Sequence, residues 1–153
     1  ELEVWLEFRR VLSDLNDEAI VRLEKIIVDA GPFYLEASND LAYQLAEHHS
    51  DRLNEAAAIA DNTLKQNPSN AASRETLGWI EHLRGNHEQA LHHLSRSIRY
   101  LTKVPEAHYH LGILYESVGN RQWARRHMEA AAAADDALQG VSQAKIQFGK
   151  WTN

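Results

Sequence analysis

A chain of 153 residues, 44% hydrophobic and 25% charged, is long enough to bury one domain-sized core. Its net charge of −6 argues against sequence-independent nucleic-acid binding, which rests on clustered Lys and Arg meeting phosphate. The absence of Cys excludes disulfides, thiolate metal sites and cysteine nucleophiles, and seven Gly with three Pro disfavour a turn-rich β fold.

The chain opens "ELEVWLEF", with neither an initiator Met nor a signal peptide, and is expected to be a segment of a longer protein. No apolar run approaches the ~18 residues of a membrane-crossing helix, so no direct membrane insertion is expected of this segment. Helical spacing of apolar residues predicts nine helices. In order they cover about 2–13, 17–30, 34–48, 53–66, 71–84, 87–101, 105–118, 121–135 and 138–151. The last, "LQGVSQAKIQFGKW", carries Val141, Ala144, Phe148 and Trp151 on one side and is expected to cover an open apolar end.

A shift of 34 residues lays "LGWIEHLRGNHEQALHHLSRSI" (77–98) on "LGILYESVGNRQWARRHMEAAA" (111–132). Leu77 meets Leu111, Gly78 meets Gly112, Gly85 meets Gly119 and Asn86 meets Asn120. Ala90 meets Ala124, His93 meets His127, and Leu94 meets Met128. Gly78 and Gly112 sit inside helices, where Gly costs about 1 kcal/mol relative to Ala, so a close helix approach is expected at both. Gly85 and Gly119 suit a left-handed helix end. Asn86 and Asn120 follow as N-caps, with Gln89 completing a capping box for the first. Pro105 and Pro32 stand near helix starts.

This pattern resembles the tetratricopeptide repeat, a 34-residue helix–turn–helix unit marked by Leu-Gly, a turn Gly, an Ala and a late Pro. A looser copy, "DLAYQLAEHHSDRLNEAAAIADNTLKQNPSN" (40–70), has Leu41-Ala42, Ala56 and Pro68, with a longer turn. The resemblance implies an all-α, right-handed α-solenoid with a C-terminal capping helix. Its parts are a degenerate repeat at 1–34, repeats at 35–70, 71–104 and 105–136, and the cap at 137–153. It also implies a non-catalytic scaffold that binds a partner protein or peptide. The repeats look bacterial, and many such proteins serve envelope assemblies, including exopolysaccharide export; periplasm and cytoplasm both remain open.

In this family the first helices line a concave groove. On that side stand Glu36, Asn39, Tyr43 and Glu47, then Glu75, Trp79 and His82, then Glu106, Tyr109, Ile113 and Glu116. Aromatic residues in an acidic surround suit a basic or amphipathic segment, with Trp79 and Tyr109 as anchors. Asn39 alone matches the family's carboxylate clamp, so that use is not carried over. Arg121, Trp123 and Arg125 offer an alternative convex contact, through which copies of the chain would self-assemble.

"HEQALHHL" (87–94) misses the zinc-helix pattern HExxH. His87 and His92 lie about 140° apart around a helix, His87 and His93 about 120°. His48-His49, His92-His93 and the pair His108 and His110 also lack the i, i+4 spacing. The nine His are expected to be solvated or half-buried, with no metal and no cofactor; a site assembled between repeats leaves no mark in sequence. No nucleophile elbow or phosphate loop is present, and no enzyme activity is expected.

Overall fold

The structure is a computed structural model that describes residues 16–28 and 35–133. Among these residues there is no strand, and seven α-helices follow one another. They are α1 (16–28), α2 (Leu35–His48), α3 (Leu53–Gln66), α4 (Ala71–Leu83), α5 (His87–Ser97), α6 (Pro105–Ser117) and α7 (Arg121–Ala132). The expected helices 2–13 and 138–151 lie outside the described residues, as does Pro32. The largest difference from expectation is at α5, which ends at Ser97. Ser97 Oγ donates to the Leu94 carbonyl (2.9 Å), and the Tyr100 and Leu101 amides both turn back to the Ser97 carbonyl. Such local bonds compete with the helical ladder and close the helix early.

Two compact units, residues 1–68 and 69–153, make up the chain. In the first, α2 packs on α3. α2 buries Leu41, Ala42, Leu45 and Ala46; α3 buries Ala56, Ala57, Ala60 and Leu64. The longer connection is a 3-10 turn, Ser50–Arg52. Arg52 grips Glu55 through two nitrogens (2.8 and 2.9 Å) and reaches Glu24 of α1 at 3.3 Å. Ile20 of α1 is buried in the same unit.

The second unit holds two copies of one design, α4 on α5 and α6 on α7, with α5 against α6. A β-carbon at Gly78 would stand 2.8 Å from Leu94 Cγ; one at Gly112 would stand 2.9 Å from Met128 Cγ and Cε. Leu94 and Met128 are themselves fully buried. The missing side chain thus lets the second helix of each pair lie against the first helix's backbone. Leu94, Ala90, Leu111 and Leu114 form one core between the pairs. Fully burying each leucine contributes about 1.5–3 kcal/mol.

Each pair turns through the same helix end. Gly85 (φ 82°) and Gly119 (φ 78°) adopt the left-handed conformation, as expected. The Asn86 amide donates to the Glu81 carbonyl and Gly85 to His82; Asn120 donates to Tyr115 and Gly119 to Glu116. This double closure satisfies two helix-end carbonyls per turn. The side chains then differ. Asn120 Oδ1 accepts from the Trp123 amide (3.3 Å), as an N-cap should. Asn86 makes no such cap, which corrects the expected capping box. Glu81, where the next repeat has Tyr115, draws Asn86 Nδ2 to its carboxylate (2.6 Å) and also holds Arg84 (2.7 Å). Asn70, not singled out from sequence, caps α4 through the Ser73 amide (3.0 Å).

The two helical glycines should respond differently to a methyl group. Gly78→Ala meets a branched Leu94 Cγ and the His93 Cβ at 3.0 Å, neither of which can swing away. It should lose about 1–2 kcal/mol in urea unfolding, overpacking outweighing the helix-propensity gain. Gly112→Ala meets Met128, whose Cε and Sδ can yield although its Cγ is as close as that of Leu94, and should lose less, about 0.5–1 kcal/mol.

Candidate functional site

The first-helix residues singled out from sequence fall into distinct settings. Glu75 and Trp79 are buried, 8% and 7% exposed, in the seam where α4 meets α6. His110 of α6, 2% exposed, donates from Nδ1 to the Glu75 carboxylate. Its ring stacks on Trp79 at 4.0 Å between centroids and 13° between planes. Trp79 stacks in turn on His82 (5.1 Å). The expected open positions of Glu75 and Trp79 are therefore corrected. The α6 residue opposite them is a flat, hydrogen-bonding imidazole that fills the seam, so the indole is covered. His110 also departs from the expected solvated or half-buried histidine.

On α6, Glu106, Tyr109, Ile113 and Glu116 share one face, at i, i+3, i+7 and i+10. Tyr109 and Ile113 are half-buried and rest on Met128 and Ala131 of α7. They are the 34-residue equivalents of Glu75 and Trp79, so this face repeats the α4 seam with more side chain left accessible. His82 is half-buried beside His87, their rings 5.2 Å apart.

In the first unit, Tyr43 lines an open cleft of about 360 Å³ together with Glu18, Arg22, Leu23 and Asp40. Burial, and then the nearby Glu36, push the Asp40 carboxyl above its ordinary value. Asn39 lies next to it on α2, half-buried, and its Oδ1 finds no hydrogen-bond partner among the described residues.

The α7 face is more exposed. Trp123 is 42% exposed, with the Arg126 guanidinium 5.0 Å over its ring. Arg125 pairs with Glu129 one turn on (2.9 Å), and Arg121 is exposed. Beneath Trp123, His127 and Tyr115 stack at 5.7 Å. His127 also meets His108 across the pair, a contact that the search for i, i+4 spacings missed. No helix among the described residues is long and apolar enough to cross a membrane.

Solved structures of MamA share this arrangement. One crystal structure matches with a TM-score of 0.63 at 22% identity, over 92% of this chain and 82% of that one. A second gives 0.62 at 22%, over 94% and 78%. The 41-to-end portion of MamA from Desulfovibrio magneticus RS-1 gives 0.61 at 17%, over 95% and 86%. The fold is a tetratricopeptide-like α-solenoid. No family model matches the chain, and no curated protein matches its sequence.

Two measurements test these settings. Glu75→Ala leaves the buried His110 imidazole without its acceptor and should cost about 3 kcal/mol in chemical unfolding, with Glu75→Gln milder. The second is a pH series. Burial first, and neighbouring positive charge second, hold His82 and His93 below the ordinary imidazole value of 6.5 and His127 at about 4. Unfolded rings take up protons below about pH 6.5, while the folded ones resist. The unfolded state thus binds more protons, so stability is full above about pH 6.5 and falls as pH drops toward about 4. Solvent around these half-exposed rings mutes the size of the loss. Thermal melts should show Tm falling through that window, and His127→Gln should flatten the fall.

Proposed function

We propose that the chain is a non-catalytic scaffold that binds a partner protein or peptide along its first-helix faces. The observation that carries this reading is the α6 face. Half-buried Tyr109 and Ile113 rest on Met128 and Ala131, with Glu106 and Glu116 one turn to either side. An aromatic and an aliphatic side chain already held by packing lose little entropy on binding, and flanking carboxylates favour a basic or amphipathic segment. Trp79 and Glu75 support this face from within the seam, and His82 stands at the far end of α4. In the first unit, Tyr43 beside Asp40 and Glu18 gives an aromatic and acidic cleft of the same character, with Asn39 next to it on α2.

A second reading rests on the α7 face. Trp123 is a large, exposed indole flanked by Arg121, Arg125 and Arg126, and copies of the chain would associate through it. The family resemblance also points to an envelope assembly, such as one exporting exopolysaccharide, as the setting. Fractionating the native cell before capture addresses that point.

The test replaces Glu106 and Glu116 with Lys, which reverses the charge and leaves the Tyr109 packing in place. Capture from native extract, read by mass spectrometry, should lose the partner with the double variant and keep it with the parent. Binding of the captured partner should also weaken as salt rises. A partner held equally by both moves the site off the α6 face. Light scattering of the parent beside Trp123→Glu then separates a hetero-partner from self-association.

A further inference from the structure

The turn at 118–120 folds α7 back along α6 and brings His108 of α6 to His127 of α7. Their Nδ1 atoms are 2.9 Å apart. The other nitrogen of His108, Nε2, is 3.0 Å from the carbonyl oxygen of Thr102. A carbonyl only accepts, so Nε2 carries the hydrogen and the neutral ring presents a bare lone pair at Nδ1. In the metal-free chain, His127 Nδ1–H donates to that lone pair. A ligand histidine fixed through its second nitrogen by a backbone carbonyl is the usual outer shell of a metal site. We propose that His108 and His127 form a two-imidazole site for a divalent transition-metal ion of tetragonal preference, copper or nickel.

The donor set narrows the ion class. Imidazole suits late first-row ions, and copper and nickel accept two nitrogens with water in a square or tetragonal arrangement. Zinc sites are held by three or four protein ligands, which this pair does not supply. No carboxylate joins the pair, and no group of three His, Asp or Glu gathers among the described residues, so hard oxygen-seeking ions are disfavoured and water completes the shell. On binding, the His127 proton passes from Nδ1 to Nε2 through solvent, and both rings stay neutral. The Arg126 guanidinium opposes a second cation; it is held over the Trp123 ring. Both histidines are half-buried and retain contact with solvent.

The preceding repeat supplies an internal control. Shifted by 34 residues, His127 is His93 and His108 is Arg74. The charge of Arg74 indeed acts on His93. The same register therefore places an Arg near His93 in one repeat and His108 against His127 in the next, and only the latter supplies two imidazoles for a metal.

The experiment titrates the full chain with Cu2+, the tightest-binding ion of its row, by calorimetry, with electron paramagnetic resonance on the loaded sample. The parent should take up one equivalent at a site with two nitrogen ligands. His108→Arg, an arrangement that the preceding repeat already tolerates, should weaken that site at least about tenfold, and His127→Gln should do the same. His93→Gln should bind as the parent does. A parent without a saturable site, a spectrum without two nitrogens, or a His108→Arg variant that binds unchanged would each overturn the proposal.

Discussion

The close approach of paired helices at Gly78 and Gly112 is the constraint on which the second unit depends. At each glycine a second-helix side chain, Leu94 or Met128, occupies the space of the absent β-carbon. That contact fixes how far apart the helices lie and how they are rotated about their own axes. The left-handed turns at Gly85 and Gly119 then return the chain at the right height. Once distance, rotation and height are set, every residue of a first helix has a determined partner on the second. His108 meets His127, and the charge of Arg74 reaches His93, at the same separation of 19 residues across the turn.

Within so fixed a frame, single substitutions between repeats change the local chemistry without moving the backbone. Glu81 becomes Tyr115, and the Asn that follows the turn is released from a side-chain bond to serve as an N-cap. Thr76 becomes His110, which gives the α4–α6 seam a polar centre. A buried carboxylate is costly unless its lone pairs are met, and the imidazole meets Glu75 while covering the Trp79 face. A fully apolar pair at these two positions would also fill the seam. The polar pair adds direction, since Glu75 accepts only where His110 Nδ1 arrives, and that fixes how α6 lies along α4.

The helices themselves were readable in the sequence because their signals are local. Apolar period, Gly at the helix end and Pro105 at the first turn each act within a few residues, and α2 to α7 begin close to where those signals put them, with α5 closing early at Ser97. The two helical glycines were readable for a related reason: a costly residue at equivalent places in two repeats demands a steric cause. Facing directions across the seam were not readable. Trp79 is covered because His110 lies against it, and the two are 31 positions apart with no local mark linking them. Spacing on a single helix likewise gave no warning of His108 and His127, since their meeting is a property of two helices and a turn. The 34-residue register does carry that information. Once His93 and His127 are recognised as equivalents, the residue opposite either one is found by the same offset.

The contrast between α4 and α6 ties the fold to its proposed use. Both helices present the same four positions to the next layer of structure. On α4 these positions hold Glu75 and Trp79, and His110 closes over them. On α6 they hold Tyr109 and Ile113, half-buried on Met128 and Ala131. An apolar pair with carboxylates one turn to either side is more adaptable than a buried hydrogen-bonded pair, because packing on it requires no matched hydrogen bond. The inner seam is therefore specific and closed, while the proposed use of the α6 face asks of a partner only apolar area and positive charge. The two settings sit 34 residues apart on one chain, so one repeat design yields a closed polar seam at one position and a partly exposed apolar face at the next.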